Sequence, residues 1–146
     1  KSPIVVLRDP ESRCALPIWI GIMEANAIAM ALEGLDSPRP MTHDLLKSVL
    51  ESAGAKLTDV EITDIRENTY YAALHLERGG GDFTVDSRPS DAIALALRCD
   101  APIRVAENVL ANAVLLEASD AEEGEKDKWS ELLEKMDPEQ FSKYKM

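Results

Sequence analysis

The sequence predicts an α+β domain in which a mixed or antiparallel sheet of five or more strands packs against two buried, alanine-rich helices. Three observations carry that expectation. Short apolar runs rich in β-branched residues are set apart by turn-forming clusters. Ala72, Leu74 and Leu76 alternate along one segment, which is the two-residue period of a half-buried strand. Ala27-Ile28-Ala29-Met30-Ala31-Leu32 and Ala92-Ile93-Ala94-Leu95-Ala96-Leu97 are apolar around most of a helical turn, which argues for burial on several sides. These two segments lie 65 residues apart, and Val49-Leu50 returns as Val114-Leu115 at the same offset. The shared register points to an internal strand-helix-helix duplication whose polar corners, residues 24–26 and 86–91, are equivalent. A common close-packing helix face would give the same short matches.

Along the chain, residues 4–7 and 16–20 read as a hairpin around the turn cluster Asp9-Pro10-Glu11-Ser12. The first helix is expected over 24–33, with Gly34 as its C-terminal stop. A loop containing Pro38 and Pro40 leads to a second helix, N-capped by Thr42 and amphipathic through Leu45, Leu46, Val49 and Leu50, which Gly54 ends. Strands are expected through Val60 to Ile65, Tyr70 to Leu76 and Phe83 to Val85, the last two joined at Gly79-Gly80-Gly81. The second alanine-rich helix starts near Pro89, where a missing N–H costs nothing. An edge strand at 102–105 and a helix over 109–116 complete a domain at 1–116. Residues 117–128 are acidic and poor in apolar side chains, which predicts a linker. Trp129, Leu132, Leu133 and Met136 predict a small amphipathic helix within a C-terminal segment, 129–146.

A chain of 146 residues buries an adequate core without disulfides or a structural metal. Cys14 and Cys99 have no metal or redox spacing and read as reduced thiols. The lack of a membrane-length apolar run or a secretory leader predicts a cytoplasmic protein without membrane association. A strand-like run directly after Lys1-Ser2-Pro3, with no initiator Met, suggests preceding sequence. The formal net charge is −11, of which residues 117–146, with ten acids and five lysines, carry −5. A nucleic-acid binder must replace condensed counterions with its own cations, so polyanion binding is limited to a small local footprint.

Two constellations hold chemistry. Arg39, Thr42, His43 and Asp44 combine a guanidinium, a hydroxyl, an imidazole and a carboxylate in one loop and one helical turn. Arg39 suits a phosphate, the helix start adds dipole attraction, and His43 exchanges protons near neutral pH. Asp86, Ser87, Arg88, Ser90 and Asp91 form the other. Asp86 and Asp91, joined by Glu24, would ligate Mg²⁺ or Mn²⁺, which accept one or two carboxylates beside waters and phosphate oxygens. Helix capping explains both clusters equally simply. His75, flanked by Leu74 and Leu76 in a strand, reads as solvent-facing rather than as a ligand.

The chain resembles the bifunctional nuclease domain family of bacterial and plant proteins, named for DNase and RNase activity. The matching strings are residues 16–21, Glu24-Ala25, Arg39-Pro40-Met41-Thr42-His43-Asp44-Leu45-Leu46 and Val85-Asp86-Ser87-Arg88-Pro89-Ser90-Asp91-Ala92-Ile93-Ala94. The tail Phe141-Ser142-Lys143-Tyr144-Lys145-Met146 is similar to that of bacterial members. The resemblance implies an oligomeric α+β domain, a further strand ahead of the first, and nuclease activity on DNA or RNA. Joined to the residue chemistry, it gives an expected metal-dependent nuclease. His43, Asp44, Asp86 and Asp91 would be catalytic; Arg39, Thr42, Ser87, Arg88 and Ser90, with Lys47 nearby, would bind substrate; Glu24, Asp86 and Asp91 would hold the metal. The competing expectation is a non-catalytic regulatory or scaffold domain that binds a small anion or a protein partner through the same loops.

Overall fold

The computed structural model describes residues 2–11 and 14–117. In chain order they form β1 (Ile4–Arg8), β2 (Cys14–Trp19), α1 (Ile22–Leu32), α2 (Thr42–Ser52), β3 (Lys56–Arg66), β4 (Thr69–Arg78), β5 (Gly81–Ser87), α3 (Pro89–Cys99), β6 (Ile103–Val105), α4 (Glu107–Asn112) and β7 (Leu116–Glu117). The α+β class is as expected. The strands, however, divide between two sheets, β1-β2-β7 and β5-β4-β3-β6, rather than sharing one of five or more. The reason is local: β6 takes the β3 edge in parallel register, while β2 pairs with β1 on one side and β7 on the other.

Turn chemistry fixes both antiparallel joints of the larger sheet. Glu67 and Asn68 connect β3 to β4, and Gly79 and Gly80 connect β4 to β5; all four have positive φ. Two successive left-handed residues match the twist of the flanking strands, which is why two-residue hairpins favour them. The resulting register alternates inward Leu74 and Leu76 with outward Ala73 and His75. Val60, Ile62, Tyr70 and Ala72 join them under α3, and Leu16 and Ile18 of β2 close the same core from the smaller sheet.

Helix α3 is the centre of that core. Ala92 through Ala96 are buried, together with Pro89 and Ser90. Its small side chains let α1 and α2 pack closely on it, and Ile93 and Leu95 are buried in the core that α3 shares with the larger sheet. The expectation of two buried alanine-rich helices holds for α3 and fails for α1, where Ile28 alone is buried and Ile22, Met23 and Leu32 lie open. One face of α1 rests on α3, and the apolar residues opposite have no cover among the described residues.

The duplication also fails. Val49-Leu50 is helical within α2, whereas Val114-Leu115 follows α4 in non-helical chain, and α3 leads into a strand where α1 leads into a loop. The helix expected over 109–116 ends at Asn112, because Leu116 and Glu117 pair with Ala15 and Cys14. Apart from Glu117, the proposed linker and the C-terminal helix and tail lie outside the described residues. No helix among the described residues is long and apolar enough to cross a membrane.

Replacing Leu95, which is fully buried, by Ala should lower the unfolding free energy by about 2–5 kcal/mol. Leu97→Ala, at a partly buried position on the same helix, should cost less in the same urea titration.

Candidate functional site

Three helices begin around one cleft of about 240 Å³. It is lined by Met23 and Glu24 from the first turn of α1, Thr42 and His43 from the first turn of α2, and Arg88 and Asp91 from the N-cap and first turn of α3. Helix N-termini carry partial positive charge, so their convergence favours an anionic group there. The cleft continues along α1 past Asn26, Ala27 and Met30, with Arg98 at its far end.

A chain of charged contacts crosses it. Arg88 lies 3.6 Å from Glu24 through Nη1 and donates from Nε to Asp91 Oδ2 at 2.8 Å. Asp91 Oδ1 in turn meets His43 Nε2 at 2.9 Å. Glu24, Arg88, Asp91 and His43 thus link α1, α3 and α2 in one line. Burial by itself would raise the Asp91 carboxyl, but the Arg88 and His43 hydrogen bonds outweigh it and hold the group below its ordinary value. An ionised Asp91 only accepts, so Nε2 of His43 carries the proton and Nδ1 keeps the lone pair when the ring is neutral.

Arg98 was not singled out by sequence reasoning. A cation in the last turn of an alanine-rich helix reads as a partner for the helix dipole. Instead its side chain is only 9% exposed, and it donates to Asp44 Oδ1 at 2.8 Å, to Ala94 O at 2.8 Å and to Ala27 O at 3.0 Å. Its seven-residue spacing from Asp91, two helical turns, is the sequence signal that puts both on one face of α3. The neighbours His43 and Asp44 therefore pin the start of α2 at two points along α3. Asp44 also accepts from Met41 N at 3.0 Å; this backbone bond first, then Arg98, lowers its pKa. Met41, not Thr42, is the N-cap of α2, and Asp44 at the third helical position satisfies its amide.

The two expected constellations meet in part. Glu24, Thr42, His43, Arg88 and Asp91 share the cleft, with Asp44 behind it on Arg98. Ser90 is buried in α3, and Ser87 Oγ donates to Arg88 O and so supports the turn into α3. Arg39 is exposed in the connection between α1 and α2 and is not a lining residue. Lys47 lies 3.9 Å from Glu51 and lines a separate cavity.

Asp86 is the clearest departure. Val85 and Ser87 oppose Leu74 and Ala72, which are buried, so alternation turns Asp86 with Ala73 to the other face of the sheet. Arg88 bridges Glu24 and Asp91, the two remaining carboxylates. The expected three-carboxylate set for Mg²⁺ or Mn²⁺ is thus not assembled. Among the described residues no group of three or more His, Cys, Asp or Glu side chains is placed to hold a metal ion. His75, partly exposed as expected, sits between Asp59, 2.8 Å from Nδ1, and Glu61, 3.6 Å from Nε2.

A family model described as the bifunctional nuclease domain matches residues 5–117. An uncharacterized protein of Mycobacterium tuberculosis (strain ATCC 25618 / H37Rv) is 42% identical over 148 residues, covering 96% of this chain and 88% of that protein. Bifunctional nuclease 1 of Oryza sativa subsp. indica is 31% identical over 112 residues, 75% of this chain and 34% of the relative. Bifunctional nuclease 2 of Arabidopsis thaliana is 30% identical over 107 residues, 71% of this chain and 32% of the relative. The chain therefore spans about a third of the length of these plant relatives.

Two measurements check the electrostatic account. Their hydrogen bonds hold the Asp44 and Asp91 carboxyls below the ordinary carboxylate value in the folded state, so the unfolded chain binds more protons in acid. Their stabilisation is complete above the unfolded value and is lost as pH falls through the folded values. Asp44→Asn and Asp91→Asn should each flatten the loss of stability below about pH 4 in urea titrations. Arg98→Met should cost about 1.5–3 kcal/mol at pH 7, the range for hydrogen bonds from a charged donor.

Proposed function

Because the chain belongs to the bifunctional nuclease domain family, we propose that its cleft hydrolyses phosphodiester bonds of DNA or RNA, with His43 as the proton carrier. The observation that supports this most is the line Glu24, Arg88, Asp91, His43, set where three helices begin. Asp91, 2.9 Å from His43 Nε2, orients the imidazole, as a carboxylate does for histidine in many hydrolytic sites. Arg88, with 38% of its side chain exposed, would donate to a non-bridging phosphate oxygen. The attacking water gives its proton to His43 as its oxygen bonds to phosphorus. The bond to the leaving oxygen then breaks, and the proton passes to that oxygen. Thr42, a further lining hydroxyl, would help to bind the phosphate.

The formal charge of −11 keeps this footprint to one or a few phosphates. Glu24, Asp86 and Asp91 do not fit a resident metal. Dependence on Mg²⁺ or Mn²⁺ is therefore proposed only for an ion that arrives with the substrate phosphate, and no step above relies on it.

A second reading has its own support. Glu24 and Asp91 balance Arg88 and Arg98 within the cleft, and Ile22, Leu32, Leu35, Leu45 and Val49 are exposed on the α1 and α2 side. A regulatory or scaffold domain that binds a small anion, or a homo-oligomer that covers those residues, would use both features.

Highly purified protein should cleave single-stranded DNA or RNA. His43→Ala and Asp91→Asn should each reduce the rate by roughly 100-fold or more, the usual worth of a positioned acid or base. Asp86→Asn should leave the rate unchanged, and assays with chelator or added Mg²⁺ and Mn²⁺ measure the ion's part. A pure wild type that cleaves neither polymer under any of these conditions would replace the nuclease with the regulatory reading.

A further inference from the structure

All three methionines of the described residues, Met23, Met30 and Met41, line the same cleft. Met23 and Met30 lie on one face of α1, seven residues apart, with Asn26 and Ala27 between them. Met41 stands at the start of α2. Met23 is 78% exposed and Met41 is 48% exposed. The charged line of Glu24, Arg88, Asp91 and His43 occupies the same cleft, yet no Phe, Tyr or Trp is among its lining residues. An apolar lip beside a cationic and proton-carrying group calls for an occupant with an anionic end and a flat apolar face.

We propose that the cleft takes one unpaired nucleotide, its base held against the thioethers of Met23, Met30 and Met41 and its phosphate at Arg88 and His43. This rests on the phosphodiesterase reading above and names its substrate as single-stranded. Thioether sulfurs make favourable contacts with aromatic rings, and unbranched methionine side chains adapt to either purines or pyrimidines. Asn26 lines the same wall and offers both a donor and an acceptor to a base edge. Its Nδ2 now lies 3.8 Å from Met30 Sδ, a weak contact that a base edge would replace. A cleft of about 240 Å³ is below the usual 300–1,000 Å³ of drug-sized pockets, which suits one nucleotide and leaves no space for a duplex. In a duplex the base faces are already stacked, so the lip would gain nothing without flipping a base out.

Methionine methyl NMR on the full chain, labelled with ¹³C at the ε-methyl groups and assigned by single Met→Leu variants, tests this with 5′-AMP and ribose 5-phosphate as probes. AMP should move at least two of the Met23, Met30 and Met41 methyl signals upfield by ring current, and ribose 5-phosphate should not. The double variant M23A/M41A should weaken AMP binding roughly 2- to 10-fold, the span expected for lost sulfur–aromatic contacts, with ribose 5-phosphate binding unchanged. The inference is overturned if AMP up to millimolar concentration leaves all three signals in place, or if ribose 5-phosphate shifts them equally. Upfield shifts in a protein that cleaves no nucleic acid would support the nucleotide site and end the hydrolase reading. Cleavage with unmoved methionines would do the reverse.

Discussion

The Arg98 guanidinium fixes the geometry on which the rest of the cleft depends. A buried cation is costly unless its donors are satisfied, and Arg98 spends them on a carbonyl of its own helix, a carbonyl of α1 and the Asp44 carboxylate of α2. That set of partners ties both flanking helices to α3. Once α2 is held through Asp44, the preceding residue, His43, is carried over Asp91 two turns up the same helix. Packing does the rest: the alanines of α3 allow close approach of its neighbours, and Ile93 and Leu95 anchor it in the core.

Much of this was legible in the sequence because it is local. Turn residues located the hairpin between β4 and β5, alternation assigned the inner face of β4, and Pro89 marked the start of α3. The clusters at 39–44 and 86–91 each put polar side chains at a helix start, and the fold brings Thr42, His43, Arg88 and Asp91 of them to one cleft while leaving Arg39 and Asp86 outside it. The departures arise where a side chain's role depends on a distant element. Periodicity makes α1 apolar on most sides but cannot say that only one side meets α3. Asp86 was grouped with Asp91 by proximity in sequence, although strand alternation already turns it with Ala73, away from the face of Leu74. Arg98 reads as a surface cation until Asp44, 54 residues earlier, is brought against it.

The nuclease family and this cleft constrain each other. The strongly acidic chain disfavours an extended track for a polyanion, and the cleft is correspondingly small, with helix starts and Arg88 supplying the positive field. Arg88 takes the space between Glu24 and Asp91 where carboxylate-ligated metals would otherwise be sought. In the proposed hydrolase, chemistry built on this chain's own groups would fall to the imidazole, with Asp91 as its partner. Under the nucleotide proposal, the methionine lip would favour a single unpaired base at the same site.

The state of His43 is the most direct measure of the central claim, that Asp91 holds this ring ready as a base. Long-range ¹H–¹⁵N NMR of the neutral imidazoles should find His43 as the Nε2–H tautomer, and Asp91→Asn should remove that preference. His75, whose Nδ1 meets Asp59, provides an internal contrast as the Nδ1–H tautomer. A His43 ring in the Nδ1–H form, or one whose tautomer is indifferent to Asp91, would contradict the account.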